Sequence, residues 1–242
     1  SLGAERVVVG DLRDEEVIRQ AMQGIRAVYH VCPNMSPDEL VIGQFVIDAA
    51  RKNKVEHFVY HSVLHPQTEK MTHHWHKLHV EEMIFESGLP FTIVQPAPYM
   101  QNLLAGWETI VRDGIIRVPY SVDSKFSFVD LEDVAEAAKL ILTEPDHFQA
   151  IYELAGTSAM SHVDAAERFG RVLKRSIRAE KEEIGSWKRQ AGEMSDYALE
   201  NLVSMFEYYD RWGLAGNPNV LTWLLKRPPT SWETFIQRIA TE

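Results

Sequence analysis

Short apolar runs alternate with longer stretches of helical periodicity, and this alternation most restricts what the chain can fold into. AVYHV (27–31), HFVYHSV (57–63) and FTIVQ (91–95) are apolar along most of their length rather than at every second position. A strand apolar on both sides is covered on both sides, the situation of a strand in a parallel sheet. Between the first two runs, residues 39–54 carry Val41, Phe45, Val46, Ala49 and Ala50 at helical spacing. Between the last two, a histidine-rich segment runs to Ser87-Gly88. Ahead of them, VVV (7–9) closed by Gly10 reads as a further buried strand. Asp14 then caps a helix that carries Val17, Ile18, Ala21 and Met22 and stops at Gly24. Parallel neighbours need a crossover, which a helix supplies. The expected fold is therefore α/β, a Rossmann-like doubly wound, mostly parallel sheet.

After Asn102 the regularity weakens. The pattern predicts helices over 103–113, 130–142 and 161–173, short strands at 115–118, 126–129 and 151–154, and an edge strand within 177–183. From Ile184 on the chain is helical and aromatic. This divides it into a Rossmann-like unit over 1–155 and a mainly helical C-terminal lobe over 156–242, packed on the first. Aromatics at helical spacing are more often core than cofactor contacts, so Trp212, Trp223 and Trp232 are expected inside.

Charge and cysteine use narrow the function. The net charge is −10 with no basic block, and phosphate contacts need clustered Lys and Arg, so nucleic acid is not an expected partner. No apolar run reaches the ~18–20 residues of a membrane span. Cys32 is the sole cysteine and has no intrachain partner, which points to a reducing, cytoplasmic setting.

Six segments then carry a likeness: VVVGDLRDEEVIRQAMQG (7–24), AVYHVCP (27–33), HFVYHSV (57–63), HKLHVEEMIFESGLPFTIVQPAPYMQN (76–102), FSFVDLEDVAEAA (126–138) and NPNVLTWLLKRPPTSWETFI (217–236). In this order they resemble the NmrA-like family, atypical members of the short-chain dehydrogenase/reductase superfamily. The family's glycine-rich turn, GxxGxxG, occurs nowhere in the 242 residues. By resemblance VVVGDL is the third strand of the family's sheet. The chain, which opens at Ser1, is thus expected to start two strands and one helix late, roughly 50 residues. In the order 3-2-1-4-5-6 the runs at 7–9 and 27–31 would then border an empty slot.

The resemblance also implies a site. It puts Asp11 and Leu12 at the adenine ring and Val31, Cys32 and Pro33 along the ribose and diphosphate of NADP or NAD, NADPH being favoured. Ser62 and Val63 end the next strand, where ordinary short-chain dehydrogenases place a carbonyl-polarising serine. Those enzymes carry Tyr-x-x-x-Lys on the following helix. Here the pair is His73 and Lys77, so the lysine that anchors the nicotinamide ribose is present and the tyrosine that donates a proton is not. Lys77 and His73 are the candidate catalytic residues, His73 as a substitute donor. The loop Pro96, Ala97, Pro98, Tyr99 lies over the nicotinamide by the same likeness, with Tyr99 and Asn102 facing substrate. On the residues alone, His73, His76 and His79 step along the helix by threes, yet zinc needs three or four converging ligands. No metal is expected, and the histidines read as a partly wet helix end. Two functions stay open: an NAD(P)H-dependent reductase of a small apolar carbonyl or quinone-type acceptor, and a non-enzymatic redox sensor acting through a protein partner.

Overall fold

The computed structural model describes residues 3–241; Ser1 lies outside the described residues. In chain order its elements begin with α1 (Glu15–Ala21), β1 (Ala27–His30), α2 (Glu39–Lys52), β2 (His57–His61), α3 (Thr72–Ser87) and β3 (Phe91–Pro96). A 3₁₀ turn over Met100–Gly106 leads into α4 (Trp107–Asp113), β4 (Ile115–Val118), α5 (Leu131–Thr143), β5 (Ala150–Leu154) and α6 (His162–Leu173). The chain closes with β6 (Arg178–Lys181), α7 (Ile184–Gln190), α8 (Asp196–Trp212), α9 (Asn219–Leu225) and α10 (Trp232–Ile239).

Four strands form a parallel sheet in the order β1-β2-β3-β5, and β4 pairs with β6 in a second parallel sheet of two strands. The fold is the expected Rossmann-like α/β arrangement. Side chains alternate across β2, and each face has its own core. Phe58 and Tyr60 join Val28, Phe91 and Ile93 under Ile42, Val46 and Ile47 of α2 and Val80 and Ile84 of α3. Val59 turns to the opposite face and joins Val94 under Val134, Ala137 and Ile141 of α5, continuous with Phe169, Leu221 and Trp232. This double coverage is why the strands read as unbroken apolar runs.

Four expectations change. Residues 7–9 are not a buried strand: Val7 and Val9 are 75% and 91% exposed. A strand exists only beside a partner, and among the described residues β1 pairs with β2 alone. The segment is instead held by Arg6, whose guanidinium donates to the carbonyls of Gln20, Ala21 and Gln23 at 3.2–3.3 Å. Residues 126–129 make single bridges rather than a strand, Phe126 to Met160 and Leu214, and Val129 to Tyr99. Trp232 is core, but Trp212 and Trp223 are 64% and 72% exposed. On α2, Val41 faces out and Ile42 faces in.

One close approach positions the site. A Cβ on Gly43 would come within 2.9–3.0 Å of the Val80 methyl groups. Glycine at that point lets α2 and α3 pack tightly, and Glu39 and Lys77 sit about one turn away on the two helices.

Candidate functional site

The carboxyl ends of β1, β2 and β3 gather most of the polar side chains buried between the sheet and its first helices. Open parallel sheets bind ligands along this rim.

On the α2/α3 side, Glu39 is fully buried and Lys77 is 5% exposed. Lys77 Nζ lies 3.1 Å from Glu39 Oε1 and donates to the His61 carbonyl at 3.3 Å. Tyr60 Oη donates to the same Glu39 oxygen at 2.8 Å, and the ammonium stands 5.3 Å from the Tyr60 ring centre. Lys77 is therefore no solvated surface lysine. Two buried atoms beside this cluster, Glu39 Oε2 and His30 Nε2, have no hydrogen-bond partner. The His30 ring stacks on Tyr60 at 5.8 Å, and burial pushes its pKa down to about 4.

Cys32 is buried in the same place. Desolvation, reinforced by the Glu39 charge, pushes its thiol up to about 12, so it stays protonated and unreactive. Its neighbours Val31 and Pro33 are exposed. Pro33 joins Asp11 and Leu12, with Gly10, Arg13 and Asp38, around an open cleft of about 600 Å³. Asp11 holds Arg13 from both carboxylate oxygens, at 2.6 Å for the closest contact. Hydrogen bonds from Arg13 lower the Asp11 pKa to about 2, which keeps an anion on the cleft wall. The far side of Arg13 faces Asp38 at 3.6 Å.

Ser62 does not face the rim. Its hydroxyl donates to Glu81 Oε1 at 2.5 Å, and Gln95 Nε2 donates to both Glu81 oxygens. Burial raises the Glu81 pKa against those bonds. Val63 is half-buried, and Pro96 and Ala97 are buried. Asn102 is exposed on the 3₁₀ turn, its N–H donating to the Tyr99 carbonyl at 3.1 Å.

The histidine helix is drier than its sequence suggests. His73 and His74 are 6% and 2% exposed, and burial drives their pKa values down to about 3 and about 4. His74 Nδ1 meets the His65 carbonyl at 3.3 Å, and His76 Nδ1 meets Tyr197 Oη at 3.1 Å. His79 faces Glu82 at 3.6 Å. Among the described residues no three His, Cys, Asp or Glu side chains converge as metal ligands would.

On the other side of the sheet, His61 lies between two phenols. Its Nδ1 is 2.6 Å from Tyr29 Oη and its Nε2 is 2.7 Å from Tyr99 Oη. Sequence reasoning missed Glu39, Tyr60, His61 and Tyr29. A signal existed: polar side chains in a strand covered on both faces must find buried partners. Which partners they find depends on helix packing that no local pattern records.

The residues present fit the nucleoside half of a dinucleotide. The Asp11 carboxylate can accept from ribose or adenine N–H and O–H groups, and Leu12 and Pro33 offer apolar contact to a base. The unpartnered Glu39 Oε2 and His30 Nε2 leave hydrogen-bonding capacity beside Lys77.

The NmrA-like family model matches residues 1–236. The chain is 30% identical over 175 residues to the NAD(P)H azoreductase of Xenophilus azovorans, covering 72% of this chain and 60% of that protein. It is 27% identical over 161 residues to quinone oxidoreductase 2 of Escherichia coli K12, covering 66% and 56%. The match thus spans somewhat over half the length of each relative. Its fold is similar to that of an Escherichia coli NADPH-dependent quinone oxidoreductase solved with NADPH: the TM-score is 0.84 at 22% identity, over 97% of this chain and 83% of the other.

Proposed function

This chain belongs to the NmrA-like family, and from that premise we propose that it binds NAD(P)H, NADPH by preference, and serves a reductase of small apolar carbonyl or quinone-type acceptors. The observation that carries the reading is the polar rim at the carboxyl ends of the strands, where Lys77 is drawn under the sheet by Glu39 and the Asp11 cleft opens alongside. The azoreductase and quinone oxidoreductase likenesses support the choice of chemistry.

When bound, the reduced nicotinamide supplies a hydride. The chain's own residues hold and orient it. Asp11, Leu12 and Pro33 take the nucleoside end, with Val31 exposed beside them. Lys77 anchors the nicotinamide ribose once its pairing with Glu39 is shared. The segment Pro96, Ala97, Tyr99 shapes the acceptor side, with Asn102 at its mouth. Cys32, Ser62 and Val63 support the rim rather than react. We divide the work at 155/156, with the acceptor held between the first unit and the helical lobe. We keep the cytoplasmic setting as part of this reading; among the described residues no helix is long and apolar enough to cross a membrane.

His73 at the position of the usual tyrosine favours a second reading, a dinucleotide sensor without turnover. One experiment separates the two. NADPH is titrated into the protein by nicotinamide fluorescence, and its oxidation is then followed with a panel of quinones. Binding with turnover supports the reductase. Tight binding without turnover favours the sensor, and no binding overturns both.

A further inference from the structure

The helix that carries the proton-donating tyrosine in ordinary short-chain dehydrogenases has His73 there, and that ring cannot take over the role as it stands. It is buried, with a pKa lowered to about 3 by burial and by the Lys77 charge. A reduction that leaves charge on a carbonyl oxygen still needs a proton. Three side chains that share no local motif meet on the face of the sheet opposite Glu39. Tyr99 follows β3, His61 ends β2 and Tyr29 is the penultimate residue of β1. The contacts Tyr99 Oη–His61 Nε2 and His61 Nδ1–Tyr29 Oη are 2.7 and 2.6 Å, both short and both between neutral groups.

We propose that Tyr99 is the proton donor of the reaction and that His61 and Tyr29 form a relay behind it. This rests on the reductase reading above. Neutral imidazole has one N–H and one bare nitrogen. A ring between two hydroxyls therefore makes a directional chain: one tyrosine donates to the bare nitrogen and the other accepts from the N–H. In the competent direction Tyr29 donates to Nδ1, Nε2–H donates to the Tyr99 oxygen, and the Tyr99 proton points into the acceptor space.

The step balances. The acceptor carbonyl carbon gains the hydride, with its two electrons, and the reduced nicotinamide is oxidised to its cation. The carbonyl C–O π bond breaks, and the oxygen takes the Tyr99 proton. The Tyr99 oxygen takes the proton from Nε2, and Nδ1 takes the proton from Tyr29. The imidazole stays neutral with its tautomer inverted, and Tyr29 is left as a short-lived phenolate, away from the reacting atoms. After product leaves, a water proton entering at Tyr99 drives the same shifts backward and restores the start.

The surroundings suit this role. Burial, and then the Lys77 charge, lower the His61 pKa to about 4, so the ring is neutral at pH 7. Burial raises Tyr99 to about 12 and raises Tyr29 as well, so both keep their protons until the acceptor oxygen becomes the stronger base. The groups facing His61 are Tyr29, Tyr99 and, through its own carbonyl, Lys77. Tyr99 touches the acceptor and is the catalytic residue; His61 and Tyr29 act through it and are positioning residues.

The test pairs kinetics with a spectroscopic readout that needs no turnover. NADPH oxidation is measured with 2-methyl-1,4-naphthoquinone and with 4-nitrobenzaldehyde for wild type, Tyr99→Phe, Tyr29→Phe and His61→Gln, and NADPH affinity is read by fluorescence. The expected loss in kcat for Tyr99→Phe is on the order of 10²-fold or more. It should be larger for the aldehyde, whose reduced oxygen is more basic, with NADPH affinity unchanged. In ¹⁵N-histidine spectra the two tyrosine variants should show opposite His61 tautomers. Tyr29→Phe leaves Tyr99 donating to Nε2, and Tyr99→Phe leaves Tyr29 donating to Nδ1. A Tyr99→Phe protein that turns over like wild type, or one tautomer common to both variants, overturns the relay alone. A wild type that binds NADPH and reduces neither acceptor overturns the reductase reading and the relay with it.

Discussion

Two buried carboxylate clusters in this molecule are built on opposite terms. Between α2 and α3, Glu39 concentrates two donors, Tyr60 and Lys77, on one oxygen and leaves the other with none. Lys77 is nearly as dry as its partner, 6% of its side chain exposed against none. At the start of α5, Asp130 and Asp133 are also fully buried, but both oxygens of each are engaged. Asp130 takes Gln101 on one oxygen and Arg238 on the other, at 2.6 and 2.7 Å. Asp133 takes Arg227 and the Thr230 N–H, at 2.7 and 2.6 Å. The arginines keep 27% and 40% of their side chains in water. The second cluster is a fastening of the C-terminal segment to the sheet domain, next to a helix N-terminus that favours negative charge. The first buries both charges with an unmade hydrogen bond, an arrangement that costs stability.

Acid should separate the two clusters most. His30, His61, His73 and His74, all near the first, have pKa values lowered to between about 3 and about 4. A histidine lowered in the folded state stabilises fully above its unfolded pKa of about 6.5, and that stability drains away as pH falls toward the folded value. Each contributes a slope of up to about 1.4 kcal/mol per pH unit within that window. Among the described residues His162 is the only lowered histidine in the aromatic core that extends from α5 to α10. Hydrogen exchange between pH 7 and 4.5 should lose protection in β2 and α3 before α5 and α10. Simultaneous loss would break the contrast.

Lys77→Met comes next. It leaves Glu39 buried without its counter-charge, for an expected loss of about 3–5 kcal/mol in denaturant unfolding. Adding Glu39→Leu should restore most of it, since the charges go together; a double variant no more stable than the single one would show that the pair stabilises outright. Asp133→Asn should lose about 1–3 kcal/mol, because a charged acceptor of two bonds becomes a neutral one whose amide must turn a donor toward Arg227 or Thr230. Arg227→Lys should have the smallest effect, about 1 kcal/mol or less. Its side chain is 40% exposed and water screens what the lost guanidinium geometry gives up. A larger loss there than at Lys77 would reverse the assignment of the two clusters.

Much of this contrast was invisible along the chain for a definite reason. The parallel sheet was legible because double coverage leaves unbroken apolar runs, as in 57–63 and 91–95. Helix ends were legible because caps are local: Asp14 accepts from the Glu16 N–H, and Ser161 and Asp164 cap each other. Val7–Val9 misled because apolar β-branched residues report a preference for strand, while a strand needs a neighbour to exist. Trp212 and Trp223 misled because composition does not say which side of a helix meets a core. At the candidate site, Lys77 was found through the likeness to the Tyr-x-x-x-Lys helix, whereas the histidines beside it were read as wet and two of them proved dry.

The sequence by itself determined the α/β order, the helix caps and the family likeness, since these depend on period, turn chemistry and short motifs. Tertiary structure alone decided that Glu39 meets Lys77 across two helices, that Ser62 turns to Glu81, and that Tyr29, His61 and Tyr99 join hands across three strands. Those pairings span 19 to 38 positions of chain. They are set by the register of neighbouring strands and the close approach at Gly43, and no local pattern of residues encodes either.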